Sequence, residues 1–291
     1  GRDIDALIVA GFDRVSAPGS VNYGAFRGFA GFVDEGVPDR YDLSFIGEQY
    51  DFNSDSPWLD DDSPGHGASW STWETHVQAG NTFDYPISHG EALLATGVRF
   101  STMSDEALLE RGSIEADMID LILGEEKRTE GPGRLDQFEA IPTPLQVLLR
   151  AFSTAGGDLL ITGAHVATDL AGPQADNTGR SFAADVLGMQ WRTDRAAQRG
   201  DVHVLSAFVP EEPSFSFNTG LSPLIYRVEH PDAMDPVSSG ESLIRYSDNN
   251  MSAAVGVPGR SVVMGFPFET VSSDSIRALL MGAILDYLNQ P

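Results

Sequence analysis

The sequence predicts a doubly wound α/β domain built on a mainly parallel sheet. Short apolar runs that end on glycine recur at 4–10, 118–123, 158–162 and 261–264, as strands buried on both faces do. Segments with apolar residues at helical spacing lie between them, so strand and helix alternate and the crossovers join parallel strands.

The first run, 4–10, stops at Gly11 and is followed by Phe12-Asp13-Arg14. From 12 to about 80 the chain is rich in Gly, Asp, Ser and aromatics, with one further strand expected at 43–46, and reads as a long elaboration on the sheet. Regular alternation starts at Ser88-His89-Gly90-Glu91, where Ser and Glu three apart form a capping box ahead of Ala92-Leu93-Leu94. A short helix is therefore expected there, with His89 in its first turn and Gly97 as its stop. A strand at 100–103, a helix capped by Ser104 and the strand 118–123 follow. Thr143-Pro144 reads as an N-cap with proline at the first helical position, and Leu145, Leu148, Leu149 and Phe152 continue the helix to Gly156-Gly157. After the strand 158–162 a helix is expected at 181–187. Residues 201–257 change character, with short β-prone runs at 202–205 and 224–228, and read as a small antiparallel excursion. The strand 261–264 and an amphipathic helix over 276–288 close the pattern. The expected organisation is one domain over 1–291, with elaborations at 12–80 and 201–257.

A chain of 291 residues with 41% hydrophobic residues can bury a sizeable core. It carries 43 acidic and 18 basic residues, a formal charge of −25 that opposes binding to nucleic acid or anionic lipid. Arginine supplies every basic residue except Lys127, a bias expected of a GC-rich genome or of adaptation to high salt. No apolar run reaches the ~20 residues of a membrane span, so no membrane insertion is expected. The start directly before an apolar strand reads as a mature form or an excised domain. The absence of cysteine removes disulfides, thiolate metal sites and thiol nucleophiles together.

In open parallel sheets ligands bind beyond the carboxyl ends of the strands. The four tips read Gly11-Phe12-Asp13-Arg14, Gly124-Glu125-Glu126-Lys127, Gly163-Ala164-His165 and Gly265-Phe266-Pro267-Phe268-Glu269. With His89 they nominate Arg14, His89, Glu125, Glu126, Lys127, His165 and Glu269 as ligand-binding candidates, suited to a small polar, anionic or carbohydrate ligand. The six histidines lack HExxH or HxH spacing, and Asp55 and Asp60-Asp61-Asp62 lack the spaced loop of an EF-hand, so no metal is expected. No phosphate-binding or dinucleotide-binding glycine motif is present, and no cofactor is expected. Trp58, Trp70, Trp73 and Tyr85 read as core before sugar platform.

The order of elements, with Gly156-Gly157-Asp158 leading to Gly163-Ala164-His165 and 262–267 before a final helix, resembles the class I glutamine amidotransferase-like, flavodoxin-like fold. The stretches 81–86, Ser88-His89-Gly90, 120–127 and 163–169 resemble a domain of bacterial proteins labelled xanthan lyase, which can accompany an N-acetylmuramoyl-L-alanine amidase domain. The resemblance covers roughly residues 3–288. It implies a secreted or periplasmic location and other domains on a longer chain. It also implies a nucleophile in the turn after the central strand, with His and Glu after a later strand. That turn has Ala164 at its centre, and no His precedes Glu269. Glutamine hydrolysis is thus not expected, and a non-catalytic accessory or ligand-binding domain of a cell-wall or polysaccharide-processing protein is expected. The alternative is a hydrolase with Glu126 or His89 as general base and Lys127 or Arg14 stabilising negative charge.

Overall fold

The computed structural model describes residues 5–11, 16–23, 26–31, 85–125, 129–130, 137–220, 225, 228 and 230–290. In chain order the first strands are β1 (Asp5–Ala10), β2 (Ser16–Tyr23), β3 (Phe26–Gly31), β4 (Arg99–Ser104), β5 (Met118–Gly124), β6 (Thr129–Glu130), β7 (Gln137–Phe138) and β8 (Asp158–Gly163). They are followed by β9 (Met189–Thr193), β10 (Asp201–Val204), β11 (Ser214–Ser216), β12 (Ala233–Pro236), β13 (Glu241–Tyr246), β14 (Ser252–Val257) and β15 (Ser261–Met264). The helices are α1 (Tyr85–Ala95), α2 (Asp105–Arg111), α3 (Thr143–Thr154), α4 (Val166–Ala171), α5 (Asn177–Asp185) and α6 (Asp274–Leu288).

Nine strands form one sheet in the order β11-β10-β13-β14-β15-β8-β5-β1-β4. The neighbours from β4 to β15 all pair in parallel. Numbered by their appearance in the chain, these parallel strands lie in the order 2-1-3-4-5, the order of flavodoxin-like doubly wound sheets. The four glycine-ended runs are thus contiguous as β1, β5, β8 and β15. The antiparallel excursion expected at 201–257 does not stand apart. Its strands β14, β13, β10 and β11 extend the same sheet beyond β15. β9 and β12 pair separately, as do β2 with β3 and β6 with β7.

Strand alternation divides the core into two layers. On β5, Met118 and Ile122 join one apolar cluster while Ile119, Leu121 and Leu123 join the other. Leu93 of α1 and Leu280, Ile284 and Leu288 of α6 belong to the first. Leu108 of α2, Leu145 and Leu149 of α3, and Phe182 of α5 belong to the second. Helices therefore cover both faces, as right-handed crossovers that reverse direction after β4 require.

Local chemistry sets the helix ends. Ser104 caps α2 by accepting the Ala107 N–H at 3.3 Å, and Gly112 ends it at φ 66°. Ser273 caps α6 in the same way through Ile276 N–H. Three expectations shift. α1 begins at Tyr85, a full turn before the Ser88 box, because Tyr85 is buried and Pro86 needs no hydrogen-bond acceptor in a first turn. α3 begins at Thr143, with Pro142 in the cap position and no side-chain cap. α5 starts at Asn177, well before 181, because the Asp176 carboxylate accepts the Gly179 N–H at 2.7 Å. The strand at 43–46, the acidic residues Asp55 and Asp60–Asp62, and Trp58, Trp70 and Trp73 lie outside the described residues, as does most of the run 224–228.

Candidate functional site

The parallel strands bring the four glycine tips to one edge of the sheet, and β1 and β5 are the neighbours from which the chain winds in opposite directions. The tips are closely stacked. Gly11 N–H donates to Ile122 O at 2.9 Å and Ala164 N–H to Gly124 O at 2.8 Å. A Cβ at Gly163 would meet Leu123 Cβ at 2.8 Å, and one at Gly265 would overlap the Asp232 carbonyl oxygen, so neither position accepts a larger residue unchanged. Glu125 and His165 stand at the β5 and β8 tips, both buried. Arg14, Glu126 and Lys127 lie outside the described residues.

His89 and Glu269, two of the nominated residues, meet beneath this edge. His89 projects from α1, Glu269 from the 3-10 turn Phe268–Thr270 that follows β15, and Asp120 from the middle of β5 on the same face as Met118 and Ile122. His89 Nδ1 is 2.7 Å from Asp120 Oδ2, and Nε2 is 3.3 Å from Glu269 Oε2. His89 and Asp120 are 0% exposed and Glu269 2%. The Phe268 ring closes one side, with its centroid 4.8 Å from that of the imidazole. Burial opposes charge on this imidazole, but the charge and hydrogen bond of Asp120, helped by Glu269, outweigh it and push its pKa up to about 9. The ring is therefore an imidazolium at neutral pH, donating from both nitrogens. His89 is not at a helix N-terminus, because α1 starts four residues earlier, so the anion-binding role expected from that position has no basis.

A second buried polar group lies after β8. The turn runs through Ala164, fully buried, into α4, with His165 in the cap position and making no side-chain cap. The helix start is satisfied from elsewhere. Asp232, 0% exposed, accepts the Thr168 N–H at 2.8 Å, the Thr168 hydroxyl at 2.5 Å and the Ala167 N–H. Trp191 Nε1–H donates to the same hydroxyl at 3.0 Å, and the Tyr246 hydroxyl donates to the Asp232 carbonyl at 2.6 Å. Burial pushes the Asp232 carboxyl well above the usual range against the pull of these donors, with nearby Asp169 adding to the rise. Asp169 in turn accepts the Ala140 N–H at 3.0 Å, and His165 stands beside His230 with ring centroids 6.4 Å apart.

Sequence reasoning missed Asp120 and Asp232. Asp120 had a signal: a lone acid inside the apolar run 118–123 must find a partner if the strand is buried. Asp232, in a Pro-Asp turn, had none. Among the described residues no group of three or more His, Asp or Glu side chains is arranged to hold a metal ion, and no helix is long and apolar enough to cross a membrane.

No family model and no curated protein matches this chain. Solved structures do. A GH42 β-galactosidase, Gan42B, aligns at 14% identity and TM-score 0.43 over 75% of this chain, and the chain spans only 28% of that enzyme. A glutamine amidotransferase from Methylobacillus flagellatus aligns at 8% identity and TM-score 0.38, covering 68% of this chain and 85% of the other. A putative GMP synthase component from Thermoplasma acidophilum aligns at 10% identity and TM-score 0.37, covering 73% and 96%. Glutamine amidotransferase class I-like chains are thus among the structural neighbours. None of these likenesses bears on activity.

Proposed function

We infer that this chain is a non-catalytic accessory or ligand-binding domain of a cell-wall or polysaccharide-processing protein, with a small polar or carbohydrate ligand held at the strand-tip edge. The observation that carries the non-catalytic half is His89. A general base must reach the proton it abstracts, and this imidazole has no exposed surface and both nitrogens engaged by carboxyl groups. Two further features agree with it. Ala164 occupies the centre of the turn after β8 and offers no nucleophile. The N–H groups that open α4 are occupied by the protein's own Asp232, so they are not available to a developing oxyanion.

The ligand-binding half rests on the general rule that open parallel sheets bind ligands beyond the strand ends where the strand order reverses, here between β1 and β5, whose ends carry Gly11, Gly124 and Glu125 and are followed in sequence by Arg14, Glu126 and Lys127. The cell-wall or polysaccharide setting, and a place outside the cytoplasm on a longer chain, rest on the resemblance of 81–86, 120–127 and 163–169 to the xanthan lyase-labelled domain. Calorimetric titration of the chain with acidic and neutral oligosaccharides and with muropeptides tests this reading, with Lys127→Met as the variant. Saturable heat that Lys127→Met weakens supports it. Turnover of any of these compounds would overturn the non-catalytic assignment, and binding unchanged by Lys127→Met would move the ligand elsewhere.

A further inference from the structure

Two central strands each carry one polar side chain in a fully buried apolar stretch: Asp120 in β5, and Thr162 in residues 159–163 of β8. Both residues are 0% exposed. His89 engages Asp120 Oδ2, but Asp120 Oδ1 and Thr162 Oγ1 are each buried without a hydrogen-bond partner. A carboxylate oxygen and a hydroxyl in a core give up their hydration on folding, and here no protein group replaces it.

Strand register brings the two together. Asp120 alternates in step with Met118 and Ile122, and Thr162 with Leu160, so both face the same apolar layer. β5 and β8 pair Asp120 with Leu160 and Ile122 with Thr162, which makes Asp120 and Thr162 diagonal neighbours on adjacent strands. With strands ~4.8 Å apart and a rise of ~3.3 Å per residue, their Cα atoms are about 8 Å apart. The positions around them on this face are Ile8 beside Asp120, Met264 beside Thr162, and Ile122 and Leu160 across the diagonal. These side chains offer no N–H and no oxygen.

We propose that one water molecule, bridging Asp120 Oδ1 and Thr162 Oγ1, is bound inside this core as a constituent of the fold. Two O–H···O bonds of ~2.8 Å meeting at a water span about 5 Å, the gap two short side chains leave when they lean toward each other across such a diagonal. The water donates to the carboxylate and accepts from the threonine hydroxyl, within the range of about two to four bonds usual for a buried water. A cation is the poorer occupant, because Asp120 Oδ2 already takes the His89 imidazolium at 2.7 Å and a second positive charge beside it is repelled. Both oxygens of Asp120 are then engaged, one by His89 and one by the water. Thr162 becomes a positioning residue that, through the water, keeps Asp120 ionised and turned toward His89. The site is inside the core and independent of the strand-tip ligand reading.

Water-selective cross-relaxation spectra of the full chain, with isoleucine and threonine methyls labelled, read the site. The Ile122 and Thr162 methyls should show the sign of a water held for nanoseconds or longer. Thr162→Val, which keeps the shape and removes the hydroxyl, should abolish that signal at Ile122. It should also lower the His89 pKa by about one unit, because a carboxylate that has lost a hydrogen bond holds the imidazolium less firmly. Thr162→Ser, which keeps the hydroxyl, should retain both the signal and the pKa. Should Thr162→Val fail to fold, a high-resolution crystal structure of the parent gives the same reading, with a density peak within about 3.2 Å of both oxygens. A parent without the water signal, a signal that survives Thr162→Val, or a peak that turns anomalous after rubidium exchange and so marks a cation, overturns the proposal.

Discussion

An imidazole without exposed surface stays in a fold only if its ring nitrogens find partners, and at position 89 both partners are carboxyl groups. Glu269 is 180 residues away in sequence, so the pairing is invisible to local pattern even though His89 and Glu269 each stood out as candidates. Asp120 announced only that it needed a partner, as a lone acid in an apolar strand, and not which partner. Replacing His89 with Phe would leave Asp120 and Glu269 facing each other without the imidazolium, a loss of about 3–5 kcal/mol for a broken buried pair. Urea denaturation at pH 7 checks this, and a variant as stable as the parent would show that the cluster contributes nothing. The pH dependence follows from the raised pKa. With 6.5 as the unfolded value and about 9 in the fold, the cluster's contribution is complete below pH 6.5 and is lost as pH rises through 9. It amounts to on the order of 3 kcal/mol. Asp158, raised to about 6 by burial and by Asp117, adds a smaller effect on the acid side, stabilising the fold as pH falls from 6 toward 4.

At the scale of elements, the turn from β8 into α4 supports the non-catalytic half of the proposed function. Its glycine and alanine were legible: Gly163 ends an apolar run, and Ala164 follows it without a nucleophilic side chain. What fills the helix start was not legible, because Asp232 arrives from a turn 64 residues from Thr168. Asp232→Leu should cost about 1–3 kcal/mol, since the Ala167 and Thr168 donors would be left buried without an acceptor. Asp232→Asn, which keeps an oxygen for them, should cost clearly less, and equal losses from the two variants would remove the hydrogen-bond explanation. Ala164→Cys should still release no ammonia from glutamine, because Glu269 and His89 are committed to each other in the core. Glutaminase activity in that variant would mean the imidazole can be freed. Helix boundaries followed their caps at α2, whereas α1 and α5 started early because burial of Tyr85 and the carboxylate of Asp176 outweighed the later signals.

For the whole molecule, the parallel half of the sheet was legible because four of its five strands, β1, β5, β8 and β15, are apolar runs closed by glycine. The antiparallel half was only partly so, because β10 and β11 are short and, like β13, find their partners through chain reversals that no single run announces. Total charge acts at this scale as well. With −25 on the chain, screening that shortens the Debye length from ~10 Å to ~3 Å between 0.1 and 1 M salt should raise the melting temperature. A flat or falling melting curve would show that charges are already locally balanced. One protonation state is central to all of this, that of an imidazole held inside the sheet-helix interface as a structural cation. Long-range proton–nitrogen correlation spectra of the nitrogen-labelled chain, with His89→Gln to assign the signals, measure it directly between pH 5 and 10. Both His89 ring nitrogens should remain protonated through neutral pH and titrate near 9. A neutral ring that titrates near 6.5, in fast exchange with water, would contradict the structural-cation reading and make His89 an available base again.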